Sequence, residues 1–337
     1  MAAKATLRQV ADRAGVAIGT ASAVFAGKSW VSERVRAAVL ASAEDLKYQP
    51  RARRQEPSQV TDLGFLSWAD AAFSPANPYF AQVLQGAEQA CAERGISLRY
   101  EVADPSATRL PQCVQQNQVS GLLVLSDASD RDYLRRIVDR RIPCVLVEHE
   151  QVDLPVDYVR HDDEHGGYLA ARHLLSLARR PAMPGLITAQ DVLAPAAARV
   201  RGFRRGLEEA GVAFDPAYVR HGTFDVPSGM RRMDELLDLP EPPTAVFCAN
   251  DETALGALEA ARARGLRVPE DVAIMGFDDI PQAAAAEPPL TTIATSKGLI
   301  GAQAVWHLLE RLQRPGMASR DTRLSVQLVE RASTAGG

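Results

Sequence analysis

The chain has 337 residues, too many for one compact core of ordinary size, so two or three domains are expected. Apolar residues make up 46% and charged residues 24%, ordinary for a globular protein in water. No apolar stretch approaches the roughly 18 residues that a membrane helix needs, and the N-terminal MAAKATLRQV lacks the apolar core of a signal peptide. The expectation is therefore a cytoplasmic protein without a membrane partner.

The net charge of −4 hides an asymmetry. Residues 1–56 carry ten Lys/Arg against five acids, so a +5 head precedes a −9 remainder. A basic head on an acidic body suits a module that meets a polyanion.

Three short helices are predicted before residue 50. Thr6 stands where an N-cap belongs, and Leu7, Val10, Ala11 and Ala14 repeat at helical spacing. Gly15 ends that helix at a tight turn. A second helix runs from Thr20 to about Ala26. A third opens at Ser32 and buries Val35, Ala38, Val39, Ala43 and Leu46. Two helices joined by a short glycine-containing turn within a basic three-helix unit describe a helix-turn-helix. Gly27-Lys28-Ser29 looks like the end of a phosphate-binding loop, but Ser22 stands where another glycine is required.

From residue 60 apolar strands alternate with amphipathic helices. Strands are expected at Leu63–Trp68, Ile96–Val102, Gly121–Leu125, Cys144–Val147, Gly185–Thr188, Ala245–Cys248, Val272–Gly276 and Leu324–Val329. Between them lie helices such as Tyr79–Arg94, Glu164–Ala178, Val200–Ala210 and Thr253–Arg264. This alternation predicts parallel sheets covered on both faces, in two lobes. Several strands run into polar residues: Ser126-Asp127, Glu148-His149, Asn250-Asp251 and Asp278-Asp279. Ligands of open α/β sheets bind beyond these strand ends. Carboxylates and amides there, with an aromatic face from Trp68, Tyr79, Phe80 or Phe224, suit a hydroxyl-rich ligand. The same residues also suit helix caps, and Asp251 fits either role.

Cys91, Cys113, Cys144 and Cys248 lack metal-site or disulfide spacing and read as buried free thiols. His161 and His165 are four apart, but a strand is expected to end at His161, so they need not share a helical face. No metal, cofactor or catalytic nucleophile is indicated, and an enzyme is not expected.

The segment TLRQVADRAGVAIGTASAVFAGKSWVSERVRAAVLASAEDLKYQP resembles the headpiece of the LacI (lactose-repressor-like) family. The likeness rests on Thr6-Leu7, Val10-Ala11, Ala14-Gly15-Val16, Thr20, Ser22, Val24, Gly27-Lys28, Val31-Ser32, Arg36, Val39, Leu46, Tyr48 and Pro50. It implies that the second helix lies in the major groove of operator DNA. Thr20 and Ser22 then hold phosphates, Ile18, Gly19 and Ala23 take base-reading positions, and Thr6, Leu7 and Ser32 lie on the same DNA-facing surface. These three reading residues cannot form bidentate bonds to base edges. Specificity is left to a thymine methyl, to other residues or to DNA shape, or DNA binding is weakened. The family's hinge helix carries a leucine wedge. Here Arg51, Arg53 and Arg54 replace it, either on phosphates and the minor groove or as a basic linker.

The body resembles the same family's periplasmic-binding-protein-like core. The matching segments are Asn77-Pro78-Tyr79-Phe80, Gly166-Gly167-Tyr168-Leu169-Ala170, Arg199 through Gly202-Phe203, Asn250-Asp251, Gly276-Phe277-Asp278-Asp279 and Pro289–Ile293. By resemblance Glu148, Arg199, Asn250 and Asp278 contact an effector, Phe224 stacks on it, and Thr295 adds a polar contact.

The fold class expected is thus an all-α helix-turn-helix headpiece plus an α/β core of two doubly wound parallel-sheet lobes. The headpiece spans residues 1–50, a basic hinge 51–60 and the core 61–337. Lobe 1 takes about 61–161 and 294–322, lobe 2 about 162–293 and 323–332. The function expected is a transcriptional repressor, acting as a homodimer on operator DNA and modulated by a sugar-like effector between the lobes. A sensor that no longer binds DNA is the alternative.

Overall fold

The structure is a computed structural model that describes residues 6–25, 31–46, 48, 60–68, 76–104, 106–107, 109–125, 131–149, 152–177, 183–189 and 194–335. Arg51, Arg53, Arg54 and Ser126-Asp127 lie outside the described residues. The chain divides into two compact units, residues 1–59 and 60–337.

The first unit contains α1 (Leu7–Arg13), α2 (Ile18–Phe25) and α3 (Glu33–Asp45). Thr6 and Gln9 close a capping box on α1: Gln9 N donates to Thr6 Oγ1, and Thr6 N donates to Gln9 Oε1 at 2.8 Å. Gly15, at φ +66°, turns the chain so that Val16 N donates back to Ala11 O. Val10, Ala11, Ala21, Ala23, Val24, Val31, Val39 and Ala43 form a small aliphatic core, and Phe25 packs on Tyr48.

The second unit opens with β1 (Asp62–Trp68), α4 (Pro78–Ala92), β2 (Ser97–Ala103), α5 (Gln112–Gln115), β3 (Leu122–Leu125), α6 (Arg131–Val138), β4 (Cys144–Val147) and β5 (Asp157–His161). It continues through α7 (Asp163–Ser176), β6 (Gly185–Ala189), α8 (Ala194–Glu209), β7 (Val219–Gly222), α9 (Val226–Leu237), β8 (Ala245–Cys248), α10 (Asp251–Ala263) and β9 (Ala273–Met275). It ends with α11 (Pro281–Ala285), β10 (Thr292–Ala294), α12 (Lys297–Gln313), β11 (Asp321–Leu324) and β12 (Gln327–Val329).

The first lobe is a parallel sheet in the order β11-β5-β4-β3-β1-β2. Side chains alternate along its strands. Leu63, Phe65, Leu123, Leu125, Val145 and Val147 meet α4 and α12. Leu66, Trp68, Leu122, Val124, Cys144 and Leu146 meet α5 and α6 on the other face. The second lobe is a parallel sheet in the order β7-β6-β8-β9, with α7 and α8 on one face and α9 and α10 on the other. Helices on both faces explain why the central strands read as unbroken apolar runs.

Three chain crossings join the lobes: β5 into α7, β10 into α12, and β11 into β12. The strand expected over Leu324–Val329 is two pieces. β11 pairs with β5 in the first sheet, β12 pairs antiparallel with β10, and Val326 packs into the second-lobe core.

Candidate functional site

A charged network collects where the strand ends of the two lobes converge. On the first lobe, Asn77 caps α4 by accepting from Tyr79 N at 2.9 Å and Phe80 N at 3.2 Å, which fixes Tyr79 at the helix start. The Tyr79 hydroxyl donates to Glu148, which follows β4. His161, the last residue of β5, places Nδ1 2.5 Å from Glu148 Oε1, and its backbone N donates to Glu148 Oε2 at 3.3 Å.

On the second lobe, Arg199 of α8 donates to Asp163 Oδ1 at 2.8 Å and to the Ala249 carbonyl at 2.6 Å. Its guanidinium covers the Phe277 ring at 3.7 Å from the centroid, a cation–π contact. It also approaches Asp278 Oδ1 at 3.4 Å, an ionic contact without a hydrogen bond. Close helix packing holds this arginine in place. A Cβ on Gly202 of α8 would lie 1.8 Å from the Glu164 carbonyl, and one on Gly167 of α7 would lie 2.0 Å from the Arg199 carbonyl. Only glycine lets the two backbones approach this closely.

Backbone strain concentrates at the same strand ends. Glu148, Phe224, Asp278 and Asp279 have φ values of 55°, 58°, 112° and 58°. A non-glycine residue held in such a conformation costs about 1–3 kcal/mol and needs its surroundings to enforce it. Lys297 does so for the Asp278-Asp279 turn, donating to the Asp278 carbonyl and, at 3.0 Å, to the Asp279 carbonyl. Thr295 Oγ1 donates to the Asp278 carbonyl at 3.2 Å.

Burial sets the charges. It pushes Asp163 and Asp278 each up to about 6, Arg199 offsetting part of the effect. It would also lift Glu148, but His161 and Tyr79 hold this carboxyl below its usual range. Burial opposes a charge on His161, yet Glu148 raises its pKa overall. Tyr79 is pushed well above its usual value by burial and by Glu148, so it stays a neutral donor. Deeper in the second lobe, burial and then the Asp278 charge raise Asp251 to about 8.

The expected site residues divide into three groups. Tyr79, Glu148, Arg199 and Asp278 come together as described, and Phe224 is half-buried after β7. Asn250 and Thr295 are present but already engaged. Asn250 Oδ1 accepts from Thr253 N at 3.0 Å, and its Nδ2 donates to the Phe224 carbonyl at 3.1 Å, so it caps α10 and steadies Phe224. Trp68 and Phe80 require correction. Trp68 is edge-on against Tyr133 in one core, and Phe80 is edge-on against Phe65 in another, so neither ring offers a face to a ligand. Core packing and ligand stacking both demand an aromatic near a strand end, and sequence does not separate them.

Sequence reasoning missed His161, Asp163 and Lys297. The first two flank the β5–α7 crossing, where the sequence marks a strand end but not the partners that meet there. Asp251 turns out to be structural: it accepts from Ile280 N at 2.9 Å and from Thr292 Oγ1 at 2.6 Å.

In the head, Ile18, Gly19 and Ser22 are exposed on α2, with Ile18 at 44%. Thr6 and Ser32 are exposed as well, while Thr20 and Leu7 are half-buried and Leu7 packs on the core. Ala23 requires correction. It is 7% exposed within the head core, so its methyl serves packing and not base readout.

A three-helix head of helix-turn-helix form, followed by a two-lobed body with a polar crevice at its strand ends, defines a ligand-responsive DNA-binding regulator. Residues 6–51 match the family model for bacterial regulatory proteins of the lacI family, and residues 171–334 match that for a periplasmic binding protein-like domain. The chain is 33% identical to the ribose operon repressor of Haemophilus influenzae over 335 residues, covering 98% of each protein. It is also 33% identical to the HTH-type transcriptional repressor PurR of Proteus mirabilis over 343 residues, covering 99% of this chain and 98% of that protein.

Similar solved structures include the CelR–cellobiose complex, at 30% identity and a TM-score of 0.70, covering 98% of this chain and 99% of that one. Another is the lac repressor dimer bound to operator and the anti-inducer ONPF, at 26% and 0.71, covering 99% and 100%. The chain belongs to the LacI family of transcriptional regulators. No described helix is long and apolar enough to cross a membrane.

Proposed function

We propose that this regulator is a repressor whose operator affinity is set by a small polar effector, a sugar or sugar derivative, held between the lobes. Tyr79, Glu148, Arg199, Phe224 and Asp278 contact it, while Asn250 and Thr295 position the contacting turns. The observation that carries this reading is Asp278. Its Oδ1 is buried and has no hydrogen-bond partner among the described residues. A buried carboxylate oxygen left without a donor costs free energy, and a ligand hydroxyl supplies the donor. The ribose-bound LacI-family regulator of Enterococcus faecium, 28% identical with a TM-score of 0.73 over 82% of this chain and 99% of that one, supports a sugar.

The three crossings form a hinge, and closure around the effector shifts the presentation of two heads. The protein works as a homodimer on a pseudo-palindromic operator in the cytoplasm, as the operator-bound lac repressor dimer supports. It performs no catalysis. The test is a thermal-shift screen of the full chain against sugars, sugar acids and sugar phosphates, followed by operator titrations with each hit. A ligand at a hundred times its Kd adds about 2.7 kcal/mol of stability. A hit that raises the melting temperature and also changes operator affinity supports the reading. A screen without such a compound overturns it.

A further inference from the structure

The Asp278-Asp279 turn is held by two cations rooted in different lobes. Lys297 is the first residue of α12, whose buried side packs on β3, β4 and β5 of the first lobe. Its side chain is 5% exposed and reaches back past the β10–α12 crossing to the second lobe. The ammonium donates to the carbonyls of Asp278, of Asp279 at 3.0 Å and of Thr295 at 3.3 Å. A lysine has three N–H donors and no acceptor, so these carbonyls use them all. Arg331 follows β12 in the second lobe. It donates to Asp279 Oδ1 at 2.7 Å and to the Leu290 carbonyl at 2.8 Å.

Both residues of the turn have positive φ, 112° at Asp278 and 58° at Asp279, so its shape lasts only while its surroundings enforce it. Asp278 is also stitched to β10 and its exit: its N donates to Ile293 O at 2.8 Å, and its carbonyl accepts from Thr295 N at 3.4 Å. A pull on the Asp278 carboxylate therefore turns the carbonyls that Lys297 holds. On the far side, α12 is locked to α4. A Cβ on Gly86 of α4 would lie 2.0 Å from the Gly298 carbonyl, so the two backbones touch and move together. The same α4 begins with the Asn77 cap and Tyr79. Charge supports the link. Burial raises Asp278, and Lys297, after Arg199, offsets part of that rise.

Two clamps thus hold one turn, and one of them leaves the lobe. We propose, on the reading of the interlobe crevice as the effector site, that Lys297 is the positioning residue that couples effector binding to the angle between the lobes. It fixes the Asp278-Asp279 turn of the second lobe to α12 of the first, and a change at Asp278 reaches α4 and Tyr79 through it. Arg331 holds the same turn wholly within the second lobe, so it shapes the site without coupling it. Lys297 lies at a crossing, where a hinge rotation moves atoms least. Its hydrogen bonds therefore outlast a rotation that parts Asn77 from Glu252 at the mouth.

The test uses the full-length protein, duplex DNA selected by that protein from a random pool, and D-ribose, D-glucose, cellobiose, D-glucuronate and D-glucose 6-phosphate as probes. The quantity read is the coupling ratio, operator Kd at saturating sugar over operator Kd without it. Lys297→Met keeps the apolar stem and removes the donors, and Lys297→Arg keeps charge and donors. The wild-type ratio should depart from unity by about fivefold or more, the low end of ordinary allosteric coupling. It should fall to within about twofold of unity in Lys297→Met, on the same scale, and return in Lys297→Arg. Arg331→Gln should raise the sugar Kd and keep the ratio. Hydrogen exchange without sugar gives a second readout. Lys297→Met should speed exchange both at residues 276–280 and at residues 79–81 in the first turn of α4, and Arg331→Gln at residues 276–280 alone. A wild-type ratio in Lys297→Met, a ratio lost as completely in Arg331→Gln, or faster exchange confined to the turn in Lys297→Met overturns the coupling role and leaves the effector site standing. Should Lys297→Met not fold, Lys297→Gln, neutral with two N–H donors, takes its place under the same outcomes. A wild-type operator affinity that none of these sugars changes removes the sugar-effector reading and this one together.

Discussion

Asn77 and Glu252 tie the two lobes across the mouth of the crevice. Asn77 Nδ2 donates to Glu252 Oε2 at 3.0 Å, while its Oδ1 caps α4 and so fixes Tyr79. One side chain thus couples the orientation of a ligand-facing tyrosine to contact with the opposite lobe. Asn77→Asp keeps the capping oxygen but sets a second carboxylate against Glu252. We expect the effector Kd to rise about tenfold, the scale of a lost hydrogen bond to a charged group. Adding Glu252→Lys should restore it. Calorimetric Kd values in a double-mutant cycle check this. An unchanged Kd in Asn77→Asp, which keeps the cap and loses the contact with Glu252, would show that Asn77 acts through the α4 cap alone.

Asp278 and Arg199 should separate ligand response from structural support. Asp278→Asn keeps the side-chain shape but removes the charge that attracts a hydroxyl donor. It should abolish the effector's influence on DNA while operator affinity stays within about threefold of wild type, measured by fluorescence anisotropy. Arg199→Ala differs. It leaves the buried Asp163 and Asp278 carboxylates facing each other without their cation. Removing one partner of a buried pair typically costs about 3–5 kcal/mol. A melting temperature equal to wild type in Arg199→Ala would show that neither the ion pairs with Asp163 and Asp278 nor the contact with Phe277 contributes to stability.

Stability should fall between pH 5 and 8. Asp163 and Asp278 titrate near 6 in the folded chain and Asp251 near 8, against about 3.9 when unfolded. The folded state therefore holds these protons more tightly. Their contribution is complete below the unfolded pKa and disappears as pH rises through 6 and then 8. His161, also raised, loses its contribution in the same direction. Glu148 is lowered, so its contribution is lost only in acid. Asp251→Asn mimics the protonated side chain towards Ile280 N and Thr292 Oγ1. It should flatten the melting-temperature profile between pH 6 and 8. A profile as steep as wild type in that variant assigns the slope to other groups.

The architecture was legible because the central strands are buried on both faces. Leu122–Leu125, Cys144–Val147 and Ala245–Cys248 are unbroken apolar runs. The strands that escaped notice are polar or short. β7 reads Val-Arg-His-Gly and β11 reads Asp-Thr-Arg-Leu, both edge strands and neither with a period-two apolar signal. The site followed the same division. Tyr79, Glu148, Arg199 and Asp278 sit in segments whose resemblance is local in sequence. His161 and Asp163 gain their roles from partners 13 and 36 residues away, His161 from Glu148 and Asp163 from Arg199. No spacing rule anticipates a carboxylate that meets its cation only once the helices of its lobe have packed together. Trp68 and Phe80 failed for the opposite reason, since their chemistry fits crevice and core equally.

The DNA-facing helix yields the last prediction. Ala23 lies in the head core beside Ala21 and Val24, whereas Ile18 stands out from the start of α2 with nearly half its surface in solvent. Gly19 has open space around the position of a Cβ. The exposed surface of α2 therefore offers an aliphatic contact and close backbone approach, and no bidentate donor. Ile18→Ala should weaken binding to a selected operator about fivefold, while the melting temperature and the salt dependence stay unchanged, because no phosphate contact is lost. The discrimination lost should be at A·T pairs, where a thymine methyl meets the side chain, and uracil substitution in the DNA should reproduce it. Ala23→Arg, by contrast, forces a long cation into a core built from alanine and valine. It should unfold the head, seen as lost helical ellipticity, and abolish DNA binding without creating guanine readout. An Ala23→Arg variant that keeps its ellipticity and binds DNA would mean that α2 presents a different face to the groove.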